Sequence, residues 1–160
     1  MRKEIVVVIG FVLTLLLFLG GVAVYIATPD AGSVLQRAHT VTVGGIPFRV
    51  HIAETPEERM QGLSGKERIK ENEGMLFIFD SPYRYGFWMK EMKFPIDIIW
   101  ISGDRVIGFS EGVPPEPGRS LGELTVYYSP GAVDRVLEVN GGVVARYNIR
   151  EGDKIRIISD

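Results

Sequence analysis

Gly74-Met75-Leu76-Phe77-Ile78-Phe79 is an unbroken apolar run of strand length, with Ser81-Pro82 closing it and the polar Glu71-Asn72-Glu73 ahead of it. Successive side chains of a strand point to opposite faces, so a strand with one wet face alternates polar and apolar residues. A run without alternation predicts a strand covered on both faces. A second run, Ile96-Asp97-Ile98-Ile99-Trp100-Ile101, carries Ile96, Ile98 and Trp100 on one face and Asp97, Ile99 and Ile101 on the other. Both of its faces are apolar, which puts Asp97 at the margin of the core.

Upstream of the first run, Val41-Thr42-Val43 and residues 46–53 read as a β-hairpin around Gly44-Gly45, since the glycine pair supplies the positive φ angles of a tight turn. Thr55-Pro56-Glu57-Glu58 has the form of a helix start. Thr55 stands at the N-cap, Pro56 at the first helical position and Glu58 three residues after the cap, with the helix ending near Gly62. Downstream, strands are expected at residues 86–89, 96–101 and 105–110, the last two joined across Ser102-Gly103-Asp104. The proline-rich stretch 113–118 reads as an extended surface loop. Strands are expected again at 124–128, 135–139 and 154–158, with a short helical turn at 143–147. The expectation is an α+β, mainly β domain: a compact barrel-like mixed sheet with one or two short helices.

The whole chain has 160 residues, 46% hydrophobic and 24% charged, with no cysteine and a formal net charge of −2. That length suits one globular domain, and the composition excludes collagen-like, disordered and disulfide-stapled classes. The near-zero charge gives no support to phosphate-driven binding of nucleic acid, so none is expected as a partner. The hydrophobicity is concentrated at the start, where residues 5–27 form 23 positions without a charged side chain. As a helix they would extend about 34 Å, against a hydrocarbon core of about 30 Å. Arg2 and Lys3 precede them, so an uncleaved anchor is expected to leave residues 1–4 in the cytoplasm and the remainder outside. A cleaved signal peptide is the main competing reading, with Gly21-Val22-Ala23 as its cleavage-like triplet, and a buried soluble helix is the lesser one. The apolar run is longer than a signal peptide needs, and the bulky Tyr25 stands where a small residue is wanted at its end. Residues 28–40 read as a linker and 41–160 as the domain. The lipid bilayer, through residues 5–27, is one expected partner.

No phosphate loop, dinucleotide fingerprint, HExxH or cysteine-based zinc site occurs, so neither cofactor nor metal is expected. His39 falls in the linker, and His51 alternates with Arg49 and Ala53 as a solvent-side strand residue. Asp97 is the acid of greatest interest, because a carboxylate at a core margin needs a cation or several backbone amides; it either ties down a loop or serves binding or acid–base chemistry. Lys90, Lys93, Arg59 and the amides of the 88–93 turn are its candidate partners. Phe87-Trp88-Met89-Lys90-Glu91-Met92-Lys93 is dense in aromatics and methionines. Such segments are usually core. As a ligand surface it would offer Trp88 for stacking, with Lys90 and Asp97 for polar contacts. Met75, Met89, Met92 and His51 are also soft donors of a kind that suits Cu(I), though Met-x-x-Met by itself is a weak signal. Candidate ligand-binding residues are therefore Asp97, Trp88, Lys90, Met89 and Arg59. Glu138 lies between Leu137 and Val139, whose side chains face the other way, and is expected to be solvated or edge-paired.

Several of these segments, in this order and spacing, resemble the DUF192 family of uncharacterised proteins. They are Ala53-Glu54-Thr55 with Glu58-Arg59 and Gly62-Leu63, residues 74–79, Phe87-Trp88-Met89-Lys90 and Pro95-Ile96-Asp97-Ile98-Ile99. Val136-Leu137-Glu138-Val139 with Gly141-Gly142, and Ile149 with Gly152-Asp153, complete the match. The resemblance implies a compact mixed β domain and brings no activity with it. Ser64-Gly65-Lys66 and Glu91-Met92 depart from the family's usual residues. Anchor, absent catalytic motifs and the Trp88, Lys90, Asp97 grouping together predict an extracytoplasmic binding or accessory module for an envelope glycan or protein. The alternative is an envelope hydrolase or transferase with Asp97, joined by Glu138, as acid and base. Glycoside chemistry would need those two carboxyls about 5–10 Å apart across an open cleft.

Overall fold

The computed structural model describes residues 39–158. The expected anchor and nearly all of the expected linker lie outside the described residues. Among the described residues no helix is long and apolar enough to cross a membrane.

Among the described residues nine strands and two short helices follow in order: β1 His39–Val43, β2 Ile46–Ala53, α1 Pro56–Gln61, β3 Glu73–Tyr83, β4 Gly86–Phe87, β5 Ile96–Ser102, β6 Arg105–Val113, β7 Tyr127–Tyr128, β8 Val133–Asn140, α2 Val143–Tyr147 and β9 Ile155–Ile158. Seven strands make one sheet in the order β6-β5-β8-β3-β2-β1-β9, and β4 pairs with β7 as a separate ribbon. Every neighbour in the large sheet is antiparallel except β2 and β3. That parallel pair needs a crossover, which is the segment containing α1. The sheet curls until its edges meet: Arg105 of β6 bridges Lys154, and the Ile155 amide donates to Asp104 O at 2.9 Å. A mainly β, barrel-like α+β domain results, as the residue pattern predicts.

The covered central strands account for the apolar runs. β5, β8 and β3 lie side by side, and their two faces feed two separate cores. Inside the curl, Leu76, Ile99, Ile101, Leu137 and Val139 pack with Val41, Phe48, Val143 and Val144. On the outer face, Phe77, Ile96, Ile98, Trp100 and Val136 pack with Leu63, Met89, Met92 and Phe94. At about 25 cal/mol per Å2 of apolar surface removed from water, each large side chain buried here contributes on the order of 2 kcal/mol.

Local expectations hold with a few shifts. Gly44 and Gly45 carry φ of 58° and 89°, as the hairpin requires. β1 starts at His39, two residues before the expected domain boundary. β4 and β7 are shorter than their apolar content suggests. β7 stops before Pro130, which has no amide to donate, and a 3-10 turn at Leu121–Glu123 occupies the chain just before it. β3 runs past residue 79 to Tyr83, with its register broken between Ile78 and Tyr83, and the irregularity accommodates Pro82.

Candidate functional site

The outer face of the sheet is not fully sealed. Between α1, the end of β3 and the β4 ribbon runs a groove of about 300 Å3. Its position follows from how α1 is held. Thr55 Oγ1 accepts from the Glu58 amide at 3.2 Å and the Glu58 carboxylate accepts from the Thr55 amide at 3.0 Å, a capping box that fixes the first turn. Arg59 then reaches back to the sheet, where Nη1 donates to Ile78 O at 2.9 Å and to Glu54 O. The guanidinium lies 5.2 Å from the centre of the Phe79 ring, within cation–π range. Past Gly62 the chain turns Leu63 into the core, and Ser64 Oγ donates to Lys90 O at 2.7 Å, tying this wall to the loop after β4.

Aromatic rings form the rest of the lining. Phe79 stacks on Tyr85 with centroids 3.7 Å apart, while Phe87 meets Phe77 edge-on at 4.9 Å and Trp100 at 5.6 Å. These mutual contacts hold the rings in place before anything binds. Trp88 lines the groove too and is 39% exposed.

Among the described residues the groove's only carboxyl belongs to Glu138. Its neighbours across the sheet are Met75 of β3 and Ile98 of β5, so apolar residues flank it on both sides. The residue is 5% exposed, and no described residue gives its side chain a hydrogen bond or an ion pair. Burial alone pushes its pKa up from 4.5 to about 8, because the charged form loses its hydration with nothing in exchange. At neutral pH the group is therefore mostly a neutral acid, able to donate one hydrogen bond. This corrects the expectation of a solvated or edge-paired glutamate. Glu138 does point away from Leu137 and Val139, but that side of central β8 is a second core.

The candidate residues separate into three places. Arg59 and Trp88 line the groove. Met89 is 1% exposed and belongs to the outer core, as Met75 and Met92 do, so these thioethers serve packing, against the soft-donor reading. Lys90 lies in the loop behind the groove, its Nζ 3.9 Å from Glu91, while Lys93 pairs with Glu67. Among the described residues no three of His, Cys, Asp or Glu gather as a metal set. His51 is half-buried, and its Nδ1 is buried without a partner.

Asp97 lies on the opposite face from the groove and is fully buried. Its Oδ1 accepts from the Gly112 amide at 2.7 Å and the Gly142 amide at 3.1 Å, and Oδ2 accepts from Val144 N at 2.9 Å. Gly142 is the N-cap of α2 and has no side chain to satisfy that helix's first amides. Asp97 does so from another strand, which is the ordinary work of an N-cap side chain. None of the cations expected as its partners is used. Asp97 has no accessible surface, and the sheet lies between it and Glu138. The sequence missed Glu138, Phe77 and Phe79 as groove residues; the one available signal was an acid inside an otherwise apolar strand.

The family model DUF192, described as "Uncharacterized ACR", matches residues 39–157. A crystal structure of a protein of unknown function from Novosphingobium aromaticivorans is similar to this chain at 34% identity. The similarity covers 73% of this chain and 83% of that one, with a TM-score of 0.67. A proposed transcription regulator from Sinorhizobium meliloti is similar at 26% identity over 74% of this chain and 92% of its own, also with a TM-score of 0.67. No curated protein matches.

Proposed function

Since the chain belongs to the DUF192 family, which brings a fold and no activity, we propose its function from its own groove: it is a binding module that takes up an envelope component, protein or glycan-linked, through an apolar part of that component. Residues 5–27 tether it to a membrane with the N-terminus in the cytoplasm and the domain outside. The observation that carries the reading is the aromatic groove with an unpartnered acid set among its apolar walls. Pre-organised apolar walls with few polar groups are the usual make-up of a binding pocket. Catalysis by paired carboxyls is not favoured, because the groove contains one carboxyl and its other titratable groups are Arg59 and Tyr85.

Two experiments test this. The two similar crystallised proteins are spanned by this domain over 83% and 92% of their chains, so residues 39–160 are a suitable soluble piece. Amide chemical shifts of that piece, titrated with aromatic and aliphatic fragments, are expected to move at α1, β4 and Glu138. Absence of any fragment binding tighter than millimolar refutes the groove as a site. For the tether, the absence of native cysteine allows one to be introduced as Ser33→Cys in the full-length chain. Labelling of intact cells by a membrane-impermeant maleimide, with the full-length mass retained in the membrane fraction, is expected. A soluble or unlabelled protein refutes it.

A further inference from the structure

We propose that the groove selects an amphipathic carboxylate: the ligand's carboxylate pairs with Arg59 at one end, its ring-sized apolar body lies over Phe77, and an acceptor atom at the far end accepts a hydrogen bond from the Glu138 carboxyl. This rests on the groove being the binding site and adds the ligand's charge and polarity pattern.

Charge sets the first part. Arg59 is the one groove-lining group that carries a charge at neutral pH, since Glu138 is held neutral by burial and Tyr85 is a phenol. The hydrogen bonds of Arg59 to the protein go through Nη1 to two backbone carbonyls, and no carboxylate of a described residue lies within ion-pair distance. The planar guanidinium keeps further N–H donors for a bidentate partner. A groove with a single uncompensated positive charge is complementary to an anion, and a cationic ligand would meet repulsion at its mouth.

Spacing sets the second part. Arg59 bonds to the sheet at Ile78, and Glu138 lies opposite Met75, three residues earlier on the same strand. At about 3.3 Å per residue these two positions lie roughly 10 Å apart along β3. Phe77 lies between them. A carboxylate and an acceptor oxygen at the two ends of one substituted benzene ring span that distance. An acid in apolar surroundings supplies a donor, so the matching ligand atom is an acceptor such as a carbonyl oxygen.

The probe is 3-(4-acetylphenyl)propanoate, compared with its primary amide and with the corresponding 2-arylethylamine, each titrated against Trp88 fluorescence and amide shifts. The carboxylate is expected to bind at least tenfold tighter than the amide or the amine. Arg59→Met is expected to remove that preference, and Arg59→Lys, which keeps the charge, to restore part of it. Affinity of the wild type should fall as pH rises through the range in which Glu138 loses its proton, while Glu138→Gln, which retains an N–H donor, should bind with little pH dependence. The groups facing Glu138 are Met75 and Ile98, with His51 one strand beyond Met75, and Arg59 and Tyr85 along the groove. The comparison with Glu138→Gln assigns the high-pH loss, because His51 is common to both proteins. Equal or tighter binding of the amide or amine overturns the charge assignment and leaves the groove as a site. An Arg59→Met variant that is folded by its amide spectrum yet keeps the preference also overturns it. If none of the three probes moves groove resonances, both readings fall.

Discussion

Replacing Glu138 by Gln removes the titration and keeps the shape, which makes the difference between the two proteins a direct measure of the buried acid. The folded protein holds the Glu138 proton up to about pH 8, whereas the unfolded chain releases it near pH 4.5. Between those values the folded state binds more protons, so stability falls as pH rises through the window. Each pH unit inside it is worth about 1.4 kcal/mol. The wild type is thus expected to lose roughly 3 kcal/mol relative to Glu138→Gln between pH 4.5 and 7, and close to 5 kcal/mol by pH 9. That is a large share of the 5–15 kcal/mol typical of a domain. Glu71, Glu73 and Glu123 have lowered pKa values, owing chiefly to hydrogen bonds from Arg146, the Lys70 backbone amide and Ser120 respectively. Their contribution is present above pH 4.5 and lost as pH falls, and it cancels because both proteins share it. Urea unfolding of each protein at five pH values from 4.5 to 9 reads the difference. A difference that stays flat across the series refutes the reasoning, because Glu138 would then be hydrated or paired in solution.

Two further substitutions test the supports of the site. Asp97→Asn leaves one acceptor oxygen and turns an NH2 group toward backbone amides; a loss of about 2–4 kcal/mol is expected in denaturant unfolding. At the same time fragment binding in the groove should be unchanged, since Asp97 serves the opposite face, and a stable variant with altered binding would contradict its assignment as a remote cap. Thr55→Ala removes the N-cap of α1 and is expected to destabilise by about 1 kcal/mol. Hydrogen exchange should quicken first at the Glu58 and Arg59 amides, and unchanged exchange there would show that α1 is held by something other than its capping box.

Much of the fold was readable because its signals are local. The Gly44-Gly45 turn, the Thr55 to Glu58 box and the two apolar runs each depend on residues a few positions apart, and each lies where its pattern places it. The same locality explains the errors about the site. The residue alternation of β8 correctly separates Glu138 from Leu137 and Val139, but what each face meets depends on β3, β5 and the chain beyond them. Asp97 at a core margin calls for a cation or several amides, and the amides are what it has, but which ones is not legible, because Gly112, Gly142 and Val144 are 15 to 47 residues away and offer backbone N–H groups, which every residue type except proline possesses. No side-chain pattern announces them.

By itself, then, the sequence determined the family, the mainly β architecture and the strands with two covered faces, since hydrophobic period and turn chemistry are written residue by residue. It also marked residues 5–27 as a membrane-length apolar segment. Only the tertiary structure decided which acid is structural and which faces a cavity. Solvation, hydrogen-bond satisfaction and pKa are properties of the assembled surroundings. Curling the sheet buries Asp97 among amides and leaves Glu138 unpartnered in an aromatic groove.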